Sequence, residues 1–403
     1  VKKLLFILMI SIPVVSRAQN LTISAQVLDQ ETGEALSFAS VGLKGIAIGT
    51  ISNDQGEFDF HVPTEHRNDI LVISMMGYKN FEAPVWTFIN APFTVIKLEK
   101  SSIQLQEIVV SDTLTGGDIL RIAFGRIEQN YPMKPFQMDG FYRDVKKVGG
   151  TYISLLEAAV KIYDESYAEP RNKFKLRERV RLVEVRTSLG YESKFTKYFD
   201  QDNLLEDLLL HNNIRYRQIE EVDELFSSMN RGQNSSYDNR DVYVVTHSEF
   251  YDLKVFIDKS DFSIIHLEWE APQSNDDLDR KKNLMSRFVG LKKSIDFRRH
   301  DGKMYLSFMT MTSKVNWYDI DTNELKFETE LFQQLLINKV YSTPKDRIGS
   351  TEKMRNYGLQ YQDQPYNKAF WDNYNVIKET PLDKKITADL EKLAPLEAQF
   401  EDN

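Results

Sequence analysis

The amino-acid sequence predicts a mainly β protein with some α: an N-terminal β-sandwich followed by an α+β domain built on a curved antiparallel meander. Three observations carry this. Residues 20–99 break into about seven strand-length runs separated by Gly and Asn/Asp turns. Helical spacing of apolar residues occurs in short windows, at 117–127 and 202–210 within the second domain. From Asp241 onward, runs of period two follow one another through hairpin turns. The 403 residues exceed what one hydrophobic core of roughly 250 residues organises, so two or three domains are expected. A hydrophobic content of 41% and a charged content of 28% are those of a globular protein. The net charge of −9 argues against a nucleic-acid partner, which needs a concentrated basic surface. With no cysteine, disulfides, thiolate nucleophiles, cysteine-ligated zinc and Fe–S clusters are excluded.

Residues 1–18 predict a secretory signal peptide. Lys2 and Lys3 precede an apolar run over 4–15, and Ser16-Arg17-Ala18 places small residues before a cleavage point at Gln19. The run is too short to span a hydrocarbon core of about 30 Å. No later window is apolar for long enough either, so no transmembrane helix is expected. In the sandwich, residues 20–99, Leu21–Leu28 ends in the polar turn Asp29–Glu34, and Phe38–Leu43 follows. The turn Asn53-Asp54-Gln55-Gly56 leads into Glu57–Val62, where Phe58 and Phe60 share one face. Ile70–Met75 is a continuous apolar run closed by Gly77-Tyr78, and Thr94–Leu98 is the last strand. Gly56 and Gly77 are expected at positive φ or at a close backbone approach, with Tyr78 packed at the sandwich corner. The 53–56 turn lacks the alternating Asp and the distal Glu of a calcium loop.

The succession AQVLDQETGEALSFASVGLKG, GTISNDQGEFDFHVP, LVISMMGYKNFEAPV and TVIKLEKSSIQLQEIVV resembles the carboxypeptidase regulatory-like domain, a transthyretin-like β-sandwich. The resemblance rests on Asn53, Asp54, Gly56 and Phe58 of an N-D-x-G-x-F turn, on Gly77 and Tyr78 of an I-S-x-x-G-Y corner, and on L-x-E-I-V-V at 105–110. It implies a non-catalytic module without peptidase residues. Such modules accompany exported enzymes and often begin SusC-like TonB-dependent transporters of Gram-negative outer membranes. About 290 residues follow this domain, too few for a plug and a 22-stranded barrel at roughly 9–11 residues per strand. Gln129-Asn130-Tyr131-Pro132, Gly140-Phe141-Tyr142-Arg143 and the segment 370–375 further resemble a group of exported proteins that join this domain to an ENYP…GFYR segment. Here the first position departs from Glu, and the resemblance implies no activity.

After a linker at 100–113, the second domain is expected over 114–345. A helix starts at Gly117-Asp118, places Ile119, Ile122, Ala123 and Ile127 on one face, and stops before Pro132. Strands are expected at Gly140–Arg143 and Thr151–Tyr163, a short helix at 202–210, and a polar loop at 232–239. Val242–Val245, Lys254–Ile257 and Ile264–Trp269 are β-rich. Ser294–Arg298 and Lys303–Thr312 form a hairpin across Asp301-Gly302, and Lys314–Tyr318 pairs with Glu324–Leu331. With helices packed on one face, this architecture resembles the half-barrel of periplasmic lipoprotein carriers. The tail, 346–403, carries a helix over Ala388–Leu396, and Phe370, Trp371 and Tyr374 pin it onto the second domain.

Few motifs in the chain carry chemistry. There is no H-E-x-x-H, G-x-S-x-G, P-loop or G-x-G-x-x-G, and the S-x-x-K matches at Ser342 and Ser350 lack their partner motifs. His266, Glu268 and Glu270 share one strand face at about 6.6–6.8 Å spacing, which suits a shallow metal site and equally the solvent face of a half-buried strand. Met304, Leu306 and Phe308 share a face and would line a concave sheet for an apolar ligand. No catalytic residue and no cofactor is assigned. The sequence thus reads as an exported, non-enzymatic binding, interaction or scaffolding module of the Gram-negative envelope, in the periplasm or on the periplasmic face of the outer membrane. Its partner would be another envelope protein or an apolar or glycan ligand. The alternatives are a periplasmic carrier of an apolar ligand and a hydrolase whose acids are scattered in sequence. An enclosed apolar pocket favours the carrier, converging carboxylates with shifted pKa values favour the hydrolase, and a flat surface favours the interaction module.

Overall fold

The computed structural model describes residues 20–401 apart from 90, 102–112, 189–193, 200–202, 220–221, 275–276, 355–357, 363, 379–380 and 393. The expected signal peptide, the 105–110 motif and most of the expected linker lie outside the described residues. Seven strands build the sandwich: β1 (Asn20–Asp29), β2 (Ser40–Leu43), β3 (Ile46–Ile51), β4 (Glu57–Pro63), β5 (Ile70–Ser74), β6 (Phe81–Pro84) and β7 (Thr94–Leu98). They form two sheets, β4-β1-β7 and β3-β2-β5-β6. The alternation in Glu57–Val62 buries Phe58 and Phe60 against Ile23, Ala25 and Val27 of β1. Gly56 has φ +72°, and a Cβ there would stand 2.3 Å from the Val27 carbonyl oxygen, so this tight turn requires glycine. Asn53 organises it, its Oδ1 accepting from the backbone N–H groups of Gln55 (2.9 Å) and Glu57 (2.8 Å). At the corner the Tyr78 hydroxyl donates to Asp29 Oδ2 at 2.7 Å.

The second domain begins with α1 (Gly116–Gly125), whose start is fixed by a Thr115–Asp118 capping box. The expected face continues to Ile127, but the helix ends at the Arg126 cap and Ile127 opens the separate α2 (Ile127–Asn130). Next come β8 (Phe136–Val148), β9 (Thr151–Asp164) and β10 (Arg179–Thr187), then α3 (Leu204–Leu210), α4 (Asn213–Tyr216) and α5 (Asp223–Ser228). The meander follows as β11 (Asn230–Arg231), β12 (Ser235–Tyr237), β13 (Arg240–His247), β14 (Asp252–Asp258), β15 (Ile264–Ala271), β16 (Asp277–Lys281), β17 (Leu284–His300), β18 (Lys303–Asp319) and β19 (Leu325–Tyr341). The sheet runs β13-β14-β15-β17-β18-β19-β8-β9-β10, antiparallel throughout. The expected polar loop at 232–239 contains β12, paired with β13. The arms expected at 303–312 and 314–318 are one 17-residue strand. The turn between β17 and β18 is as short as its sequence signal implies: His300 pairs with Lys303, and Asp301 and Gly302 both take positive φ.

Both faces of this sheet are covered. Neighbouring residues on one strand enter different cores: Tyr142, Ala158 and Leu335 pack under α1 and α3, while Phe141, Ala159 and Leu336 pack with Trp371, Ile377 and the sandwich residue Ile51. The helices therefore occupy one face, and the sandwich and tail the other. The tail has α6 (Lys368–Trp371), α7 (Pro381–Leu390) and α8 (Leu396–Glu401), so the helix expected over Ala388–Leu396 is divided: its first three residues end α7 and its last opens α8, each helix begun next to a proline. Tyr374 donates to the Gly140 carbonyl at 3.0 Å, and Asn375 exchanges two hydrogen bonds with the His61 backbone of β4. The tail thus grips the sheet and the sandwich together. Among the described residues no helix is long and apolar enough to cross a membrane.

Candidate functional site in the cleft between sandwich and sheet

A cleft of about 450 Å³ opens where the sandwich faces the sheet. Phe38, Met75 and Met76 form its sandwich wall, and Phe256, Phe308 and Phe332 the sheet wall. Phe38 sits before β2 with φ +59°, a conformation L-residues adopt only under constraint, and remains 44% exposed. Its ring stacks on Phe308 across the domain boundary, centroids 5.6 Å apart.

The polar end of the cleft comes from two paired strands. β15 carries His266 and Glu268, and the β15–β17 register sets Asp296 opposite His266. His266 Nδ1 lies 2.7 Å from Asp296 Oδ1, and Nε2 lies 3.1 Å from Glu268 Oε1. Burial opposes charge on the imidazole, but the Asp296 carboxylate and the hydrogen bonds the ring donates to both acids prevail and push its pKa up to about 10. The hydrogen bond from His266 in turn holds the Glu268 carboxyl below its usual range. At neutral pH the group is an imidazolium clasped by two carboxylates. A base poised to accept a proton, or an acid poised to give one, needs a pKa nearer the working pH.

The sequence-derived candidates are partly reunited here. His266 and Glu268 meet, but Glu270 turns to Lys292 at 2.8 Å. Among the described residues no group of three or more His, Asp or Glu side chains is arranged to hold a metal ion. Met304, Leu306 and Phe308 do not share a face. A bulge at Ser307 lets Leu306 pair with Phe297 and Phe308 with Asp296, so Met304 and Leu306 enter the core beneath the helices while Phe308 faces the cleft. Phe38 and Asp296 were not singled out by the sequence. Asp296 could have been found by laying β17 against β15; nothing local marks Phe38.

The GFYR segment has a structural part. Arg143 donates through Nε to Glu157 at 2.7 Å, Arg186 does so at 2.6 Å, and Arg186 lies 4.4 Å over the Trp371 ring. Burial raises the Glu157 pKa, but the two guanidinium groups outweigh it and keep the carboxyl ionised. This triad locks the tail to the sheet.

Residues 23–110 match the CarboxypepD_reg-like domain family. Over 113 residues the chain is 29% identical to the TonB-dependent receptor SusC of Bacteroides thetaiotaomicron, covering 28% of this chain and 9% of the receptor. Among solved structures, MucB aligns over 56% of this chain and 92% of its own at 11% identity and TM-score 0.20. A membrane-associated protein of unknown function from Bacteroides fragilis aligns over 80% and 98% at 10% identity and TM-score 0.16. Likenesses this remote do not establish a common fold.

Proposed function

We propose that this chain is an exported, non-catalytic binding module of the Gram-negative cell envelope whose ligand occupies the cleft between sandwich and sheet. The observation that carries this reading is the cleft itself: about 450 Å³, within the usual span of small-ligand sites, with one aromatic wall from each domain. The protonation states at its polar end suit fixed hydrogen bonding better than proton transfer. The match of residues 23–110 to a domain that also begins an outer-membrane receptor supports the envelope placement.

The test is native mass spectrometry of the protein purified from its own envelope, paired with solvent extraction. The wild type is expected to carry one small molecule at fixed stoichiometry. Phe38→Gly, which removes the ring at a positive-φ position where glycine is at ease, should lose it while circular dichroism stays unchanged. A clean wild-type mass, or equal occupancy in the variant, would overturn the assignment.

A further inference from the structure

We infer that the cleft's ligand is an amphiphile with one anionic head group, a carboxylate or phosphate ester, and that the head is received by Arg298. This rests on the cleft reading above and adds to it the class of ligand.

Arg298 projects from β17 onto the sandwich. Its guanidinium lies over Gly42 and Gly49, which face each other across β2 and β3. A Cβ at either glycine would come within 2.7 Å or 2.0 Å of Nη1, so the pair of glycines makes the space the guanidinium fills. Nη2 donates to Ser40 Oγ at 2.7 Å and to the Val41 carbonyl at 3.4 Å. Both acceptors are neutral; burial works against the charge, and Tyr237 and Asp238, which line the same cavity, offset it only in part and from beyond ion-pair distance.

The surroundings show what is missing. A cavity of about 210 Å³ beside Arg298 is also lined by Lys44, Arg240 and Arg299. Each of these has its acid: Lys44 with Glu82 at 2.7 Å, Arg240 with Asp258 at 3.2 Å, and Arg299 with Asp258 at 3.3 Å and Asp261 at 2.8 Å. Among the described residues no carboxylate stands within 4.0 Å of Arg298. A partly buried cation with no carboxylate in direct contact is poorly compensated, and a bound anion would supply the missing contact.

The position of this cation selects the ligand. Ser40, Ser74, Tyr237 and Ile265 line both this cavity and the cleft, so the two adjoin. Their three hydroxyls can donate to an oxyanion held by Arg298; burial pushes the Tyr237 phenol up to about 12, so it keeps its proton. The aromatic walls of the cleft then take the apolar body. At the cleft's other polar end one imidazolium faces two carboxylates, an excess of negative charge that turns an anionic head away. Charge therefore orients the ligand as well as choosing it.

The experiment is calorimetric titration of the delipidated full chain with dodecanoate, dodecyl phosphate, dodecanol and dodecyltrimethylammonium, each below its micelle concentration. At least one anionic amphiphile is expected to bind about tenfold or more tightly than dodecanol, the advantage of a charge-assisted pair. Whichever of the two anions binds better identifies the head. In Arg298→Met the advantage should vanish while dodecanol binding persists. Should Arg298→Met fail to fold, the double variant Ser74→Ala/Tyr237→Phe, which removes donors without unpairing a charge, should cut the advantage severalfold. Equal binding of dodecanol and both anions to the wild type, or an advantage that survives these variants, overturns the head assignment and leaves the cleft standing. Binding of none of the four overturns the cleft reading with it.

Discussion

Whether the cleft binds or catalyses turns on the charge of His266, and Asp296→Asn tests it. The imidazole is largely buried, with 16% of its side chain exposed, and its pKa is raised from 6.5 to about 10. A group raised on folding contributes stability that is complete below its unfolded pKa of about 6.5 and is lost as pH rises through about 10. At about 1.36 kcal/mol per unit, the full shift corresponds to about 4 kcal/mol at pH 7 and about 1 kcal/mol at pH 9. Asp296 is itself 36% exposed, so solvent screening reduces the share lost in Asp296→Asn to about 2 kcal/mol at pH 7. The loss is also bounded, because the variant can release the proton and bury a neutral ring. The assay is an NMR titration of the His266 ring, together with urea unfolding of wild type and variant at pH 7 and pH 10. The wild-type ring should stay protonated beyond pH 9, the variant's should titrate at least two units lower, and the stability gap should close toward pH 10. A wild-type ring titrating between pH 6 and 7 would refute the reasoning and restore His266 as a candidate general base.

Two further outcomes follow from the packing. Glu157→Gln takes the shared acid from a buried Arg143 and a partly buried Arg186, so urea unfolding should show a loss of about 3 kcal/mol; a loss below about 1 kcal/mol would mean that the triad is open to water. Gly56→Ala combines a left-handed residue, costing about 1–2 kcal/mol, with a Cβ 2.3 Å from the Val27 carbonyl oxygen. Stability measured by thermal unfolding should therefore fall by more than the backbone cost alone, and a change within about 0.5 kcal/mol, the scatter of surface substitutions, would contradict the turn geometry.

What could be read from the chain depended on how local its cause was. The Asp301-Gly302 turn, the alternation in Glu57–Val62 and the start of α1 are each decided within a few residues, and each lies within a residue of where the sequence puts it. The face of Phe308 is not decided locally. Period two carries from Met304 to Phe308 on paper, but one extra residue at Ser307 reverses the faces beyond it, and the sequence has no mark for a bulge there. The sheet's second covered face was hidden for a related reason. Phe141-Tyr142 and Leu335-Leu336 are adjacent apolar pairs, which read as strand without saying what lies on either side. The cleft was less legible still, because Asp296 and Arg298 acquire meaning only once β17 is paired with β15 and Arg298 is brought against the sandwich.

The resemblance of residues 21–110 to a regulatory-like domain implies an appended module, yet the contacts make it part of the site. Asn53 donates to the Lys378 carbonyl at 3.3 Å, Lys378 pairs with Asp59 at 3.1 Å, Asn375 binds the His61 backbone, and Arg298 reaches Ser40. A further backbone bridge joins Ile48 to Lys339. These links come from the tail, from β17 and from β19, three stretches well separated along the chain. They hold Phe38 against Phe308 and keep Ser40 and Ser74 beside Arg298. A domain that only needed to be carried could hang from its linker. One that supplies half the wall of a cleft must be fixed in position, and a guanidinium held at the junction by neutral acceptors, with no carboxylate in contact, fits the proposed anionic head group.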